Sequence, residues 1–227
     1  MGFFKKSGGY ESLKVYKVTE IIYDITYYFA HRYLRGNDRT VDQMIQAARS
    51  GKQNIAEGSK ASLTSRKTEM TLTNVAKSSL EELIKDYKDY LRVRNLPIWD
   101  REHPRFEKMR AHVKTEEFNN SYSSLMQRLK DEEIANMCLT LCNQATYMLK
   151  SLLESQHAQF VREGGFSEQL YRERVNYRNQ HKDRADVSDK SDRADVSDRA
   201  DVSELSELSE LSELSELSEL SEPSENA

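Results

Sequence analysis

Apolar residues recur three and four positions apart along most of the first 163 residues, the spacing of amphipathic helices. The first such run, residues 11–35, carries Val15, Val18, Ile21, Ile22, Ile25, Phe29 and Tyr33. Tyr16, Tyr23, Tyr27 and Tyr28 widen its stripe beyond one face. Those rings either cover the edge of a core with their hydroxyls in water, or form a subunit contact or stacking surface. A second run, residues 41–59, carries Val41, Met44, Ile45, Ala48 and Ile55. Thr40 and Gln43 suit a capping box at its start, and Gly58 suits a left-handed stop at its end. Gly51 falls inside it, which implies close approach of another chain segment or a kink. Glu57, near the unfavourable end of the helix dipole, implies a compensating arginine or amide on a facing helix.

A third run covers residues 65–94, with Leu72, Val75, Ala76, Ser79, Leu80, Leu83, Ile84, Tyr87 and Leu91 on its stripe. Asn95 and Leu96-Pro97 end it. Residues 96–120 read as a connector with a short amphipathic segment around Phe106, and Trp99 suits a plug at one end of the core. Residues 121–163 read as a fourth helix, with an interruption signalled at 130–133. Gly164-Gly165 breaks that helix, and Ser167 suits the cap of a short helix over 166–180, whose Phe166, Leu170, Tyr171 and Val175 can dock on the bundle. Short turns make helical neighbours antiparallel, so the expected fold is all-α: an antiparallel up-down-up-down four-helix bundle over 11–163. The expected flanks are a flexible start over 1–10, a suffix helix over 164–180 and a disordered acidic tail over 181–227.

The tail repeats Arg-Ala-Asp-Val-Ser and then Ser-Glu-Leu. Leucine every third residue spirals around a helix and builds no continuous face, so burial cannot offset the ordering entropy. Charge divides at the same boundary. The chain carries 34 Lys and Arg against 38 Asp and Glu, of which 5 and 15 lie in residues 181–227. The tail is therefore at −10 and the remainder at +6. A basic body with an acidic tail suits polyanion contact opposed by the chain's own tail; ordinary solvation of helix faces is the alternative. Lys52, Lys60, Arg66 and Lys67 gather near the turn between the second and third helices, as phosphate contacts without sequence readout or as solvated turn charges. Arg172, Arg174 and Arg178 interleave with Tyr171 and Tyr177, a pattern that suits single-stranded RNA or DNA or an exposed docking helix.

Catalytic chemistry is not visible. The five histidines are scattered, with no Glu-x-x-His pattern of a di-iron bundle, and there is no phosphate-binding glycine loop or nucleophile elbow. Neither a cofactor nor a metal is expected. Cys138 and Cys142, four apart, read as small buried apolar groups. Glu57, Glu69 and Glu82 read as paired carboxylates inside a bundle, or as surface charges and buried hydrogen-bond partners. No stretch of 18 apolar residues spans a membrane, and the N-terminus lacks a signal-peptide core. A cytoplasmic, reducing location is the expectation.

Two stretches carry a resemblance: QAARSGKQNIAEGS at 46–59 and VAKSSLEEL at 75–83. They resemble the four-helix-bundle proteins encoded by intervening sequences in bacterial large-subunit rRNA genes, a superfamily that includes the accessory variability determinant of diversity-generating retroelements. Residues 160–178 look like the C-terminal suffix of a subgroup. Over residues 11–155 the resemblance implies a bundle that assembles as a homopentamer. It marks Asn54, Glu57, Gly58, Ser79 and Glu82 as structural signature positions. It implies contact with nucleic acid and, for the retroelement relative, with a reverse transcriptase.

Overall fold

Several helix starts are fixed by side-chain caps on the free N–H groups of the first turn. A computed structural model describes residues 9–185, all-helical and without a β-strand among the described residues. The chain divides into two units, Met1–Tyr177 and Arg178–Ala227.

A 3-10 turn, Tyr10–Ser12, leads into α1, Lys14–Tyr33. Tyr10 is thus part of a structured turn, not of a flexible start, and its ring packs edge-on against Tyr16 at 4.8 Å. Helix α2 spans Arg39–Ala61. Its cap is Asp38, whose Oδ1 accepts the Thr40 N–H at 2.9 Å, in place of the expected Thr40–Gln43 box. Helix α3 spans Arg66–Val93 and is capped by Ser65, whose Oγ accepts the Thr68 N–H at 3.1 Å. Beyond its C-cap Arg94, Asn95 takes a left-handed φ of 54°.

The connector holds α4, Phe106–His112, and α5, Glu116–Met126. The fourth long rod is α6, Asp131–Glu163, ten residues shorter at its start than the sequence pattern implied. Thr115 caps α5, and Glu133 accepts the Lys130 N–H at 3.0 Å to begin α6 afresh, so residues 121–126 belong to a separate helix. Trp99 is buried and ties the connector to the start of α6. Its backbone N–H donates to Asn136 Oδ1 at 2.7 Å and its indole N–H to Glu132 Oε1 at 2.9 Å.

Four long helices pack as a ring: α1 on α2 and α6, and α3 on α2 and α6. The core they enclose is filled by Ile22, Ile25, Phe29, Met44, Leu80, Leu83, Tyr87, Leu91, Ile134, Met137 and Leu141, all essentially without exposure. Cys138 and Cys142 are buried there as free thiols. Val75, assigned to the third stripe, is 41% exposed, because it stands one position off the row through Ala76, Leu80, Leu83 and Tyr87.

Gly58 corrects a second expectation. It lies inside α2 and does not end it, and among the described glycines only Gly164 has a positive φ, 76°. A Cβ at Gly58 would sit 3.2 Å from the Glu69 carbonyl oxygen and 3.3 Å from Leu72 Cβ. Its role is helix-helix contact, as at Gly51, where a Cβ would meet Leu80 at 2.7 Å.

Gly164 does break the chain after α6, and α7, Phe166–Ala185, follows. It starts before Ser167, so Ser167 is not its cap, and it runs past residue 180, so residues 181–185 are helical. Leu170 and Tyr171 are 40% and 70% exposed, contrary to the docking expectation. The α7 turns carry too few apolar residues for a buried face, with Arg and Glu on every side. Expectations for residues 1–8 and for the repeats after residue 185 fall outside the described residues.

Candidate nucleic-acid interface

Helix α1 packs on α2, and an aromatic row of the one lies beside a cationic row of the other. On α1, Tyr16, Tyr23 and Tyr27 stand seven and four residues apart, one stripe of a helix. On α2, Ile45, Arg49, Lys52, Ala56 and Lys60 form the facing stripe at spacings of four and three. Lys52 Nζ lies 4.5 Å from the centre of the Tyr23 ring. Lys60 Nζ lies 5.6 Å from the centre of Tyr10. Tyr23 and Tyr27 are 6.3 Å apart, and His31 lies against Tyr27 at 4.2 Å. Tyr27 is half exposed, and Arg49 and Lys60 face solvent. The rings run about 16 Å along the helix between Tyr16 and Tyr27, at 1.5 Å per residue. Glu20 lies among them. Burial pushes the Tyr16 hydroxyl above its ordinary value, and Glu20 adds to this. A cation over an aromatic face contributes about 0.5–1 kcal/mol at an exposed site and leaves the ammonium hydrated.

The other predicted contacts are dispersed. Arg66 pairs with Glu163 Oε2 at 3.0 Å, which binds the start of α3 to the end of α6 and removes Arg66 from the expected phosphate cluster. Lys67 is exposed at the start of α3. Arg172 donates to the Glu163 carbonyl at 3.4 Å and pairs with Glu168 at 3.7 Å, so it helps fix the α6–α7 joint. Arg174 is exposed, and Arg178 belongs to the second unit.

Two signature positions meet. Ser50 Oγ and Ser79 Oγ are 2.9 Å apart, and Asn54 donates to the Ser50 hydroxyl and carbonyl, each at 3.0 Å. This polar seam joins α2 to α3. Glu57 and Glu82 are both exposed, and among the described residues no hydrogen bond or ion pair engages Glu57. Water screens the helix-end charge there, so the expected partner is not required. Glu69 is apart from both. It is half-buried and accepts Gln156 Nε2 at 3.1 Å, so the three glutamates form no carboxylate set.

Sequence reading missed Tyr10 and Arg49 and the pairing of lysines with tyrosines. A helical wheel of α2 holds the signal for Arg49, which shares a face with Lys52 and Lys60. Tyr10 carries no linear signal, since its place depends on how the turn folds back on Tyr16. Among the described residues no group of three or more His, Cys, Asp or Glu is arranged to hold a metal ion, and no helix is long and apolar enough to cross a membrane. Compared with family models, with curated proteins and with solved structures, the chain matches none.

Proposed function

We propose that this chain is a non-enzymatic up-down-up-down helical bundle that contacts single-stranded RNA or DNA along the α1/α2 face. The observation that carries the reading is the alignment of Tyr10, Tyr23 and Tyr27 with Lys52 and Lys60. Aromatic faces stack bases of any sequence, at about 1–3 kcal/mol each, and the cations pair with the phosphates between them. Arg49 extends the cationic row by one turn. A packed apolar interior between the rods supports a surface role over a reaction inside the bundle. The test is anisotropy of a labelled oligo-dT strand at rising salt. Binding that falls with salt, and is lost in a Lys52→Ala/Lys60→Ala double variant, supports the reading. Absence of binding at low salt, with or without residues 186–227, sinks it.

A protein-interaction role is the second reading, favoured by Leu170, Tyr171 and Tyr177 exposed on α7. It predicts a partner that survives nuclease treatment and is lost in Leu170→Ser/Tyr171→Ser.

A further inference from the structure

At the end of the bundle nearest the α2–α3 turn lies a cavity of about 210 Å³. Apolar walls come from Leu13, Ile55 and Leu152, and the polar end from Glu69, Thr73 and Gln156. The last three form a fixed array. Gln156 Nε2 donates to Glu69 Oε1 at 3.1 Å and to Thr73 Oγ1 at 3.2 Å, and the Thr73 hydroxyl donates to the Glu69 carbonyl at 2.8 Å. Both amide hydrogens of Gln156 are thereby used, so the free capacity at this end consists of acceptors. Gln156 is 8% exposed, and its Oε1 is enclosed with no hydrogen-bond partner. A buried acceptor left unpaired is costly, and an entering N–H would recover that cost. Glu69 Oε2 has no hydrogen-bond partner among the described residues. Arg66, the nearby guanidinium, is taken by Glu163. Burial holds the Glu69 carboxyl above its ordinary range, against the lowering pull of Gln156 and Arg66, so donors that replace its lost water are favoured.

The cavity adjoins the α1/α2 face. Gly9, Ser12 and Leu13 line it, and they flank the turn that holds Tyr10; Ser59, next to Lys60, lines it too. A strand stacked on Tyr10 with a phosphate at Lys60 would have its next base at the cavity mouth. The space equals the liquid share of about seven waters, suited to one planar heterocycle between apolar walls.

We propose that this cavity receives a single base splayed from a bound single strand, and that Glu69 selects guanine. Guanine alone among the common bases presents two adjacent N–H donors, N1–H and the N2 amine, on its pairing edge, and one carboxylate accepts both. Adenine, cytosine and thymine each set an acceptor beside their donor, against the carboxylate charge. The proposal rests on the strand-binding reading above, and its test separates the two.

The full-length protein is titrated against a ten-nucleotide oligo-dT strand and the same strand with one central dG, dA or deoxyinosine. The dG strand is expected to bind roughly tenfold tighter than oligo-dT, within the range of a bidentate contact. Deoxyinosine, which lacks the N2 amine, loses most of that gain. Glu69→Gln removes the dG preference and leaves oligo-dT binding unchanged. Ser62→Leu, which fills the cavity from the end of α2, must do the same if Glu69→Gln does not fold.

Equal affinity for all four strands, or a dG preference kept in both variants, overturns the proposal while oligo-dT binding upholds the strand face. Should no strand bind, saturation-transfer NMR with guanosine monophosphate reads the cavity alone: a signal lost in Glu69→Gln supports the pocket, and none overturns it. Putrescine bound in a Glu69-dependent way without guanosine binding assigns the cavity to a small cation and also overturns it.

Discussion

Lys52 of α2 sits over the ring of Tyr23 of α1, with its ammonium nitrogen 4.5 Å from the ring centre. The pair joins two features that are far apart in sequence, a tyrosine-rich helix and a basic helix end, into one surface.

Each phosphate contact on a single strand contributes about −0.7 to the slope of log affinity against log salt. Removing Lys52 and Lys60 together is expected to reduce the slope by about 1.4. Deleting the acidic residues 186–227 is expected to raise affinity at low salt, since the net charge of the protein then opposes the strand less. A titration across salt concentrations with the three proteins checks both statements. An unchanged slope in the double variant would place the contacts elsewhere.

Close packing of α2 on α3 depends on two missing side chains. Gly51→Ala would drive a methyl to 2.7 Å from Leu80, which is fully buried and has no room to retreat. The expected cost is about 1–3 kcal/mol net of the gain in helix propensity, and a fall in Tm of several degrees. Gly58→Ala meets its neighbours at 3.2 and 3.3 Å and is expected to cost less. Thermal unfolding of both variants ranks them, and the reverse order would refute the packing argument.

A buried relay links three helices: the Tyr87 hydroxyl donates to Thr26 Oγ1 at 3.1 Å, and Thr26 Oγ1 lies 3.7 Å from Cys138 Sγ. Burial pushes the Tyr87 hydroxyl well above its ordinary value, so it stays a neutral donor. Thr26→Val leaves that buried donor with only the weak acceptor Cys138 Sγ beside it, at about 1–3 kcal/mol, whereas Tyr87→Phe removes donor and need together, at about 1 kcal/mol. Denaturant unfolding is expected to find Thr26→Val the more damaging change.

Asp86 on α3 is half-buried, and its Oδ2 is enclosed without a partner. Burial, with Glu82 and Asp89 adding, raises its carboxyl to about 6. Because the folded state binds this proton more tightly than the unfolded chain does, stability declines as pH rises from about 4 through 6. Asp86→Asn is therefore expected to raise stability at pH 7.5, by about 1 kcal/mol after allowance for solvent screening. Near pH 4 the same change is expected to be neutral. A Tm difference that does not vary with pH would contradict this.

The sequence alone determined the all-helical class, because a three-and-four spacing of apolar residues lets a helix hide one face and gives a strand none. It also placed the thiols in the interior, Trp99 against the core and the break at Gly164, since residue size and backbone freedom are local properties. What Gly58 does was decided only by the fold: a glycine that could end a helix stands where α3 crosses α2, and the crossing, not the chain, sets its use. The same holds for the split between α5 and α6, where two successive caps outweighed a continuous apolar stripe. Tyr10, Tyr23, Lys52 and Lys60 became one row, and Arg66 was taken away from it by Glu163, because distances between helices follow from how whole faces pack, which no window of sequence contains.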